Sequence, residues 1–243
     1  MLHSVQIMKV FSLLFVFLFS FALFTYAQSA QDYYKSAMIK FVNKRYSESV
    51  EDFTKAIKVK PNYIDAYFNR GIAYEYMGES NRALKDYANV IKLDPGMNEA
   101  YINRALLYKK LEKYTLAIKD LDRAIALRPD FAFAYLYRAD IHYIMGDLGA
   151  SAKDYRKVLN MLPNYIKAQR RLSEILYRQG KYTEALEFAS KLCMLESDKA
   201  DNFLQRAEIF IALQRFEAAC KDLEHAKQLG SEAAEPLIQS YCQ

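Results

Sequence analysis

Apolar residues beyond position 29 recur at intervals of three and four, the spacing that places side chains on one face of an α-helix. Tyr67, Gly71 and Tyr74 form one such set. Gly78 follows them, at a place where glycine commonly ends a helix. Because similar sets continue along the chain, the pattern predicts an all-α protein of short helices.

Four prolines, Pro61, Pro95, Pro129 and Pro163, are spaced by 34 residues. Proline cannot continue a helix and restrains the residue before it, so each one is expected to end the second helix of a helix–turn–helix unit. Six such repeats follow one another without insertion, at residues 30–63, 64–97, 98–131, 132–165, 166–199 and 200–233. Small residues at positions 8 and 20 of each repeat, with large ones at positions 4 and 24, predict two closely crossing helices.

The period and tracts such as Ala66-Tyr67-Phe68-Asn69-Arg70-Gly71 with Leu93-Asp94-Pro95 resemble tetratricopeptide repeats over residues 30–233. The resemblance implies a right-handed α–α superhelical solenoid whose first helices line a concave groove. It also implies that residues 234–243 form a terminal cap helix, since each repeat buries its faces only against neighbours.

Oppositely charged residues recur at two positions of the repeat. One of them is position 7, where the family usually has an aliphatic residue. The repeats with Arg at position 7 have Asp at position 23: Arg70 with Asp86, Arg104 with Asp120, Arg138 with Asp154, and Arg206 with Asp222. Repeat five has Leu172 and Phe188 instead, and repeat one has Ser36 with Asp52. We interpret the pairs as structural ion pairs between the two helices, because catalytic constellations are singular and these recur.

The resemblance places positions 2, 5, 6, 9, 12 and 13 of the first helices in the concave groove. The candidate partner-binding residues there are Phe68, Asn69, Tyr76, Asn103, Phe133, Tyr137, Tyr143, Lys167, Arg170, Arg171, Tyr177 and Arg178. Aromatic side chains beside a basic patch favour a peptide with acidic and apolar residues, since Tyr and Arg are frequent binding anchors.

The N-terminal segment, residues 1–27, has the features of a secretory signal peptide. It contains one Lys, Lys9, no acidic residue, an apolar run over 10–24, and small residues at Thr25 and Ala27. We therefore expect cleavage after Ala27 and export to the periplasm or cell envelope.

An uncleaved membrane anchor is the alternative. The apolar run is shorter than the ~20 residues that span a bilayer. However, basic residues such as Lys35, Lys40 and Arg45 are not typical of a translocated flank.

Three cysteines follow this segment. Cys220 lies near the start of the last repeat's second helix and Cys242 near the end of the cap helix. Antiparallel packing of these helices predicts a Cys220–Cys242 disulfide in an oxidising compartment, the alternative being two half-buried thiols. Cys193 is expected to be a core residue.

Composition excludes several classes of protein. A hydrophobic content of 52 % argues against wholesale disorder, and 7 Gly argue against a collagenous chain. The net charge of +5, which cleavage would lower by one, is too small for a nucleic-acid footprint.

The sequence contains no His-Glu-x-x-His, paired Cys-x-x-Cys, phosphate-cradling glycine loop or serine elbow. We therefore predict a non-enzymatic protein–protein interaction scaffold of the envelope, without metal or cofactor. The alternatives are a membrane-anchored adaptor and a carrier of envelope glycan or lipid-linked polymer.

Overall fold

The computed structural model describes residues 29–242. The predicted signal peptide and its cleavage point lie outside the described residues. The described part consists of helices, which occur in consecutive packed pairs, and the prediction of an all-α repeat fold is confirmed. The helices are α1 Ala30–Val42, α2 Tyr46–Val59, α3 Ile64–Tyr76, α4 Ser80–Leu93, α5 Asn98–Lys110, α6 Tyr114–Leu127, α7 Ala132–Ile144, α8 Leu148–Met161, α9 Ile166–Arg178, α10 Tyr182–Leu195, α11 Ala200–Ala212, α12 Phe216–Gln228 and α13 Ala234–Tyr241.

The first helix of each repeat ends in a left-handed residue at position 15. Glycine supplies it at Gly78, Gly146 and Gly180, with φ of 76°, 80° and 73°. In the other repeats Lys44, Glu112 and Gln214 take the same conformation, with φ of 59°, 57° and 58°. In each turn the next amide bonds back to a carbonyl of the last helical turn, as Glu79 N does to Tyr74 O at 2.8 Å. The backbone turn therefore recurs even where glycine is absent.

Side chains cap the starts of two of the described helices. Ser29 and Asp32 form a reciprocal capping box at α1, in which the Asp32 amide donates to Ser29 Oγ at 3.1 Å. Asp147 caps α8 by accepting from the Ala150 amide at 2.9 Å.

The described chain forms two compact units, which divide after Pro95. In the first unit, α1 to α4 pack in sequence around Ala37, Phe53 and Ala66. Gly71 lies against the buried ring of Tyr87, and a Cβ at residue 71 would lie 2.9 Å from the ring. The glycine at position 8 therefore makes room for the tyrosine at position 24.

In the second unit, the small residues of positions 8 and 20 are fully buried where paired helices cross: Ala105, Ala117, Ala139, Ser151, Ser173, Ala185, Ala207 and Ala219. The serines bond across the crossing, because Ser151 Oγ donates to the Ala139 carbonyl at 2.9 Å and Ser173 Oγ to that of Ala185 at 3.1 Å. A hydroxyl at these positions is thus satisfied without widening the helix pair.

Candidate functional site

The Arg at position 7 and the Asp at position 23 lie on paired helices and form two-pronged ion pairs. The Nε and Nη2 atoms donate to the two carboxylate oxygens at 2.7 and 2.8 Å in Arg70–Asp86, and at 2.7 Å for both bonds in Arg104–Asp120, Arg138–Asp154 and Arg206–Asp222. The aspartates are buried, at 2 to 6 % exposure. Their charge is therefore balanced inside the repeat.

Aromatic rings at positions 4 and 11 flank the guanidinium groups of Arg70, Arg104 and Arg206, whereas Arg138 lies against the position-4 ring of Tyr135. Arg70 lies 5.5 Å from the ring centre of Tyr67 and 5.9 Å from that of Tyr74, a cation–π distance. Arg70 Nη1 also donates to Thr54 Oγ1 at 2.9 Å, and Arg138 Nη1 to Asp122 at 2.5 Å. Both acceptors are on the second helix of the preceding repeat, so these arginines also join neighbouring repeats.

Repeat one keeps Asp52 but obtains its cation from another position. Ser36 Oγ donates to Asp52 at 2.7 Å, as the sequence pattern suggested, and Lys40 Nζ donates at 2.5 Å. Burial acts to raise the pKa of Asp52, but hydrogen bonds from Lys40, Ser36 and Lys55 outweigh it and lower the pKa to about 2. Sequence reasoning missed Lys40, although a lysine at position 11, where the neighbouring repeat has Tyr74, was a usable signal.

Repeat five replaces the pair with apolar packing. Leu172 is fully buried and Phe188 packs against the same hydrophobic cluster. Gln169 stands where other repeats have an aromatic ring; its amide donates to the Pro163 carbonyl at 2.7 Å. Its Oε1 is buried without a partner among residues 29–242. The charge pair is thus exchangeable as a whole, which fits a structural role.

Three of the predicted partner-binding residues lie in the first unit. The Asn69 amide donates to the Tyr34 hydroxyl at 3.0 Å, and Phe68 packs against Tyr87 at 5.9 Å between ring centres. Tyr76 is 64 % exposed and stacks in parallel on Tyr46 at 4.8 Å. Tyr76 therefore offers the open ring of this group.

The other nine lie in the second unit, where charged side chains connect the first helices of three repeats. Asp140 accepts from Lys167 Nζ at 2.6 Å and from the Tyr155 hydroxyl at 2.5 Å, and Lys109 Nζ lies 3.8 Å away. Burial and the bond to Asp140 raise the pKa of Tyr155 far above its usual range, so the phenol keeps its proton. Lys167 is thus held by a nearly buried carboxylate of the preceding repeat.

A second cluster joins the first helices of repeats four and five. The Tyr143 hydroxyl donates to Glu174, which also accepts from Arg171 Nη1 at 2.9 Å. The hydrogen bond to Glu174, together with partial burial, raises the pKa of Tyr143. The Arg171 guanidinium lies 4.7 Å from the Tyr143 ring centre, and Arg178 donates to the Tyr143 hydroxyl at 3.4 Å.

Arg170 is also paired, since its Nη2 donates to Glu196 at 2.6 Å and to Asn202 at 3.3 Å. Of the four basic candidates, only Arg178 has no carboxylate partner in the described part of the chain. The predicted basic patch is therefore largely neutralised by acids of its own and neighbouring repeats.

The aromatic candidates keep accessible surface. Phe133 is 38 % exposed, with its ring centre 6.4 Å from that of Tyr137 and 6.1 Å from that of Tyr165. Tyr137 and Tyr177 are half-buried, as is Asn103. The first helices of this unit thus carry accessible aromatic rings among charged side chains that are already paired with one another.

A family model described as the ETO1 C-terminal domain matches residues 25–180, well over half of the chain. The chain belongs to this tetratricopeptide-type repeat family. The resemblance stated from the sequence is therefore confirmed. No curated protein matches the sequence.

Solved structures share the fold of this repeat chain. YrrB, titled a tetratricopeptide protein with an unusual peptide-binding site, aligns with TM-score 0.68 and 19 % identity over 79 % of this chain and 99 % of its own. MamA from Desulfovibrio magneticus RS-1 aligns with TM-score 0.63 and 22 % identity over 69 % and 95 %. PilF of Pseudomonas aeruginosa aligns with TM-score 0.64 and 15 % identity over 87 % and 97 %. At these identities the likeness concerns the fold alone.

The end of the tetratricopeptide array is covered by α13. Leu237 and Ile238 pack against the cluster formed by α11 and α12, and Tyr241 stacks on Phe216 at 6.0 Å. The structure joins Cys220 to Cys242, with 5.6 Å between their Cα atoms. A covalent bond and an apolar contact thus hold the cap helix on the last repeat.

The third cysteine, Cys193, is buried in that cluster with a free thiol. Burial raises the pKa of Cys193 to about 11, so the thiol is protonated and poorly nucleophilic at neutral pH.

Two kinds of feature are absent from residues 29–242. No group of three His, Cys, Asp or Glu side chains there has an arrangement suited to a metal ion. None of the helices in that range combines the length and apolar character required to span a bilayer.

Proposed function

We propose that the protein is a non-enzymatic scaffold of the cell envelope that binds a peptide segment of a partner protein on the first helices of repeats three to five. The observation that carries the proposal is the row of accessible rings, Phe133, Tyr137, Tyr143 and Tyr177, on that face. Large aromatic side chains on a rigid helical surface supply contact area at a low entropic cost.

The charges on this face refine the expected partner. A carboxylate of a peptide must compete with Asp140 for Lys167 and with Glu174 for Arg171. The nitrogen–oxygen distances in these two ion pairs are 2.6 and 2.9 Å. Because exchange of one ion pair for another gives little net energy, apolar and aromatic residues should dominate the affinity. Arg178 is free to pair with one acidic residue of the peptide.

Export and the groove's use by a protein are both supported by indirect observations. The signal-like segment over 1–27 and the Cys220–Cys242 bond fit an oxidising compartment. YrrB, which shares the fold, is described as having an unusual peptide-binding site. An intact-mass measurement of the mature chain tests export, since cleavage should leave Gln28 as the first residue.

The test of binding is affinity capture from the envelope fraction with native protein, a ring variant (Phe133→Ala with Tyr137→Ala) and a cation variant (Arg170→Ala with Arg178→Ala). We expect one protein to be retained by the native form and the cation variant, and lost by the ring variant. Loss of an anchor worth about 2 kcal/mol weakens binding roughly 30-fold. Retention of the same protein by all three forms would place its site elsewhere.

A second candidate is a carrier of envelope glycan or lipid-linked polymer, which the exposed Tyr76–Tyr46 stack favours as a platform for sugar rings. It predicts that glycan or lipid, and no protein, co-elutes with the native form. A membrane-anchored adaptor predicts the same partner but an uncleaved N-terminus.

A further inference from the structure

A pocket of about 380 Å³ lies between α3 and α4 of repeat two, within the first unit. It is lined by Tyr67, Arg70, Tyr74, Arg82, Lys85, Asp86 and Asn89. These α3 residues occupy positions 4, 7 and 11, on the opposite side of the helix from Phe68, Asn69 and Tyr76. The pocket is therefore on the other side of α3 from the predicted partner-binding residues of that helix.

Hydrogen-bond donors without internal partners dominate this pocket. Its carboxylate, Asp86, has both oxygens occupied by Arg70 at 2.7 and 2.8 Å. The Lys85 ammonium and the Asn89 amide have no hydrogen-bond or ion-pair partner among residues 29–242, and the Tyr67 phenol makes no hydrogen bond there. A ligand rich in acceptor oxygens would satisfy them.

The charge balance points the same way. Arg70 is neutralised by Asp86, and Arg82 Nη1 pairs with a Glu79 carboxylate oxygen at 2.7 Å. The Arg82 side chain is 67 % exposed, so this contact is weak and can be exchanged. The positive charge of Lys85 is therefore uncompensated, and the neighbouring Arg82 guanidinium can turn towards a ligand.

Repeat three offers a natural comparison, because it repeats the framework with a different donor set. It has Tyr101, Arg104, Tyr108, Lys119 and Asp120 at the corresponding positions, but Leu116 where repeat two has Arg82 and Arg123 where repeat two has Asn89. The remaining repeats have Glu48, Ala150, Glu184 and Ala218 at that position. Arginine at position 19 together with lysine at position 22 is thus confined to repeat two.

We infer that this pocket binds a small ligand through a phosphate group. The phosphate oxygens accept from Lys85, from Arg82 after it leaves Glu79, and from the Tyr74 and Tyr67 phenols, with Asn89 as a further donor. Charge-assisted bonds to several donors are the usual basis of oxyanion recognition. The pocket is wide enough for more than the phosphate, and the Tyr74 ring, 5.6 Å from the Arg82 guanidinium, provides an apolar wall.

The test is isothermal titration of the full mature chain with inorganic phosphate and with phenyl phosphate, using phenol as the uncharged comparison. We expect saturable binding of a phosphate probe with a Kd of about 1 mM or lower, and none of phenol. Tighter binding of phenyl phosphate would assign the site to phosphate esters. Equal binding of both probes would assign it to free phosphate.

Two variants and a control locate the binding. Lys85→Ala, and Arg82→Leu, which installs the residue of repeat three, should each weaken binding at least about tenfold. Lys119→Ala, the equivalent lysine of repeat three, should leave it unchanged. All three side chains are exposed, so unchanged thermal melting is expected and verifies folding. Absence of saturable binding to the native chain, or an equal loss in Lys119→Ala, would overturn the inference.

Discussion

Removal of one partner from an Arg–Asp pair should destabilise the array far more than replacement of both. Asp120 accepts two bonds of 2.7 Å from Arg104, and the side chains are only 7 % and 18 % exposed. Asp120→Ala leaves the guanidinium without its counter-ion between the rings of Tyr101 and Tyr108. Breaking a buried pair costs about 3–5 kcal/mol, and the partial exposure of Arg104 places our expectation near the lower value.

The joint variant, Arg104→Leu with Asp120→Phe, installs the apolar pair that repeat five carries as Leu172 and Phe188. Since no charge is then left without a partner, we expect its free energy of unfolding to lie within about 1 kcal/mol of the native value. The joint variant should therefore unfold with a free energy about 2 kcal/mol higher than that of Asp120→Ala.

The assay is urea unfolding followed by helical circular dichroism, with thermal melting alongside because repeat arrays can unfold in more than one step. A loss of about 3 kcal/mol corresponds to a fall in Tm of roughly 10 °C for a chain of this size. Lys119→Ala, an exposed neighbour on the same helix, should change stability by less than about 0.5 kcal/mol. If the single and joint variants unfold alike, the pairing does not stabilise the repeat as argued.

Two further predictions concern the ends of the array. Cys242→Ser removes the disulfide bond that links residues 22 apart and should lower the free energy of unfolding by about 3 kcal/mol. Reductant should lower the Tm of the native chain by as much as this substitution does and should leave the Tm of the variant unchanged. An equal response of both proteins to reductant would contradict this prediction. Asp52→Asn should cost about 2 kcal/mol at neutral pH, because the folded pKa of about 2 lies below the ordinary 3.8. This native advantage is complete above about pH 4 and is lost as the pH falls through about 2, so a difference that persisted at pH 1.5 in urea titrations would refute it.

Much of the repeat was predictable because its contacts are local and periodic. Arg104 and Asp120 are 16 residues apart on two helices joined by a short turn, so their positions are fixed once the helical period is known. The same reasoning located the small residues at the helix crossings and brought Cys220 near Cys242. It failed at Asp52 only in part, since Lys40 replaces the missing arginine from one turn further along α1.

Contacts between repeats depend on how one helix pair packs on the next, and the sequence period does not specify that offset. The repeat columns grouped Lys167, Arg170 and Arg171 into a basic patch, whereas the stacking of repeat five on repeat four places Asp140 2.6 Å from Lys167. The two arginines pair inside repeat five, with Glu196 at 2.6 Å and with Glu174, three residues along the same helix, at 2.9 Å. A charged side chain several bonds long can reach either solvent or a neighbour, and only tertiary packing decides which. The sequence by itself therefore determined the fold, the repeat boundaries we propose and the Arg–Asp pairs of repeats two, three, four and six. The tertiary structure decided which charges remain available to a ligand, because desolvation and proximity, not residue type, set the cost of exchanging an ion pair.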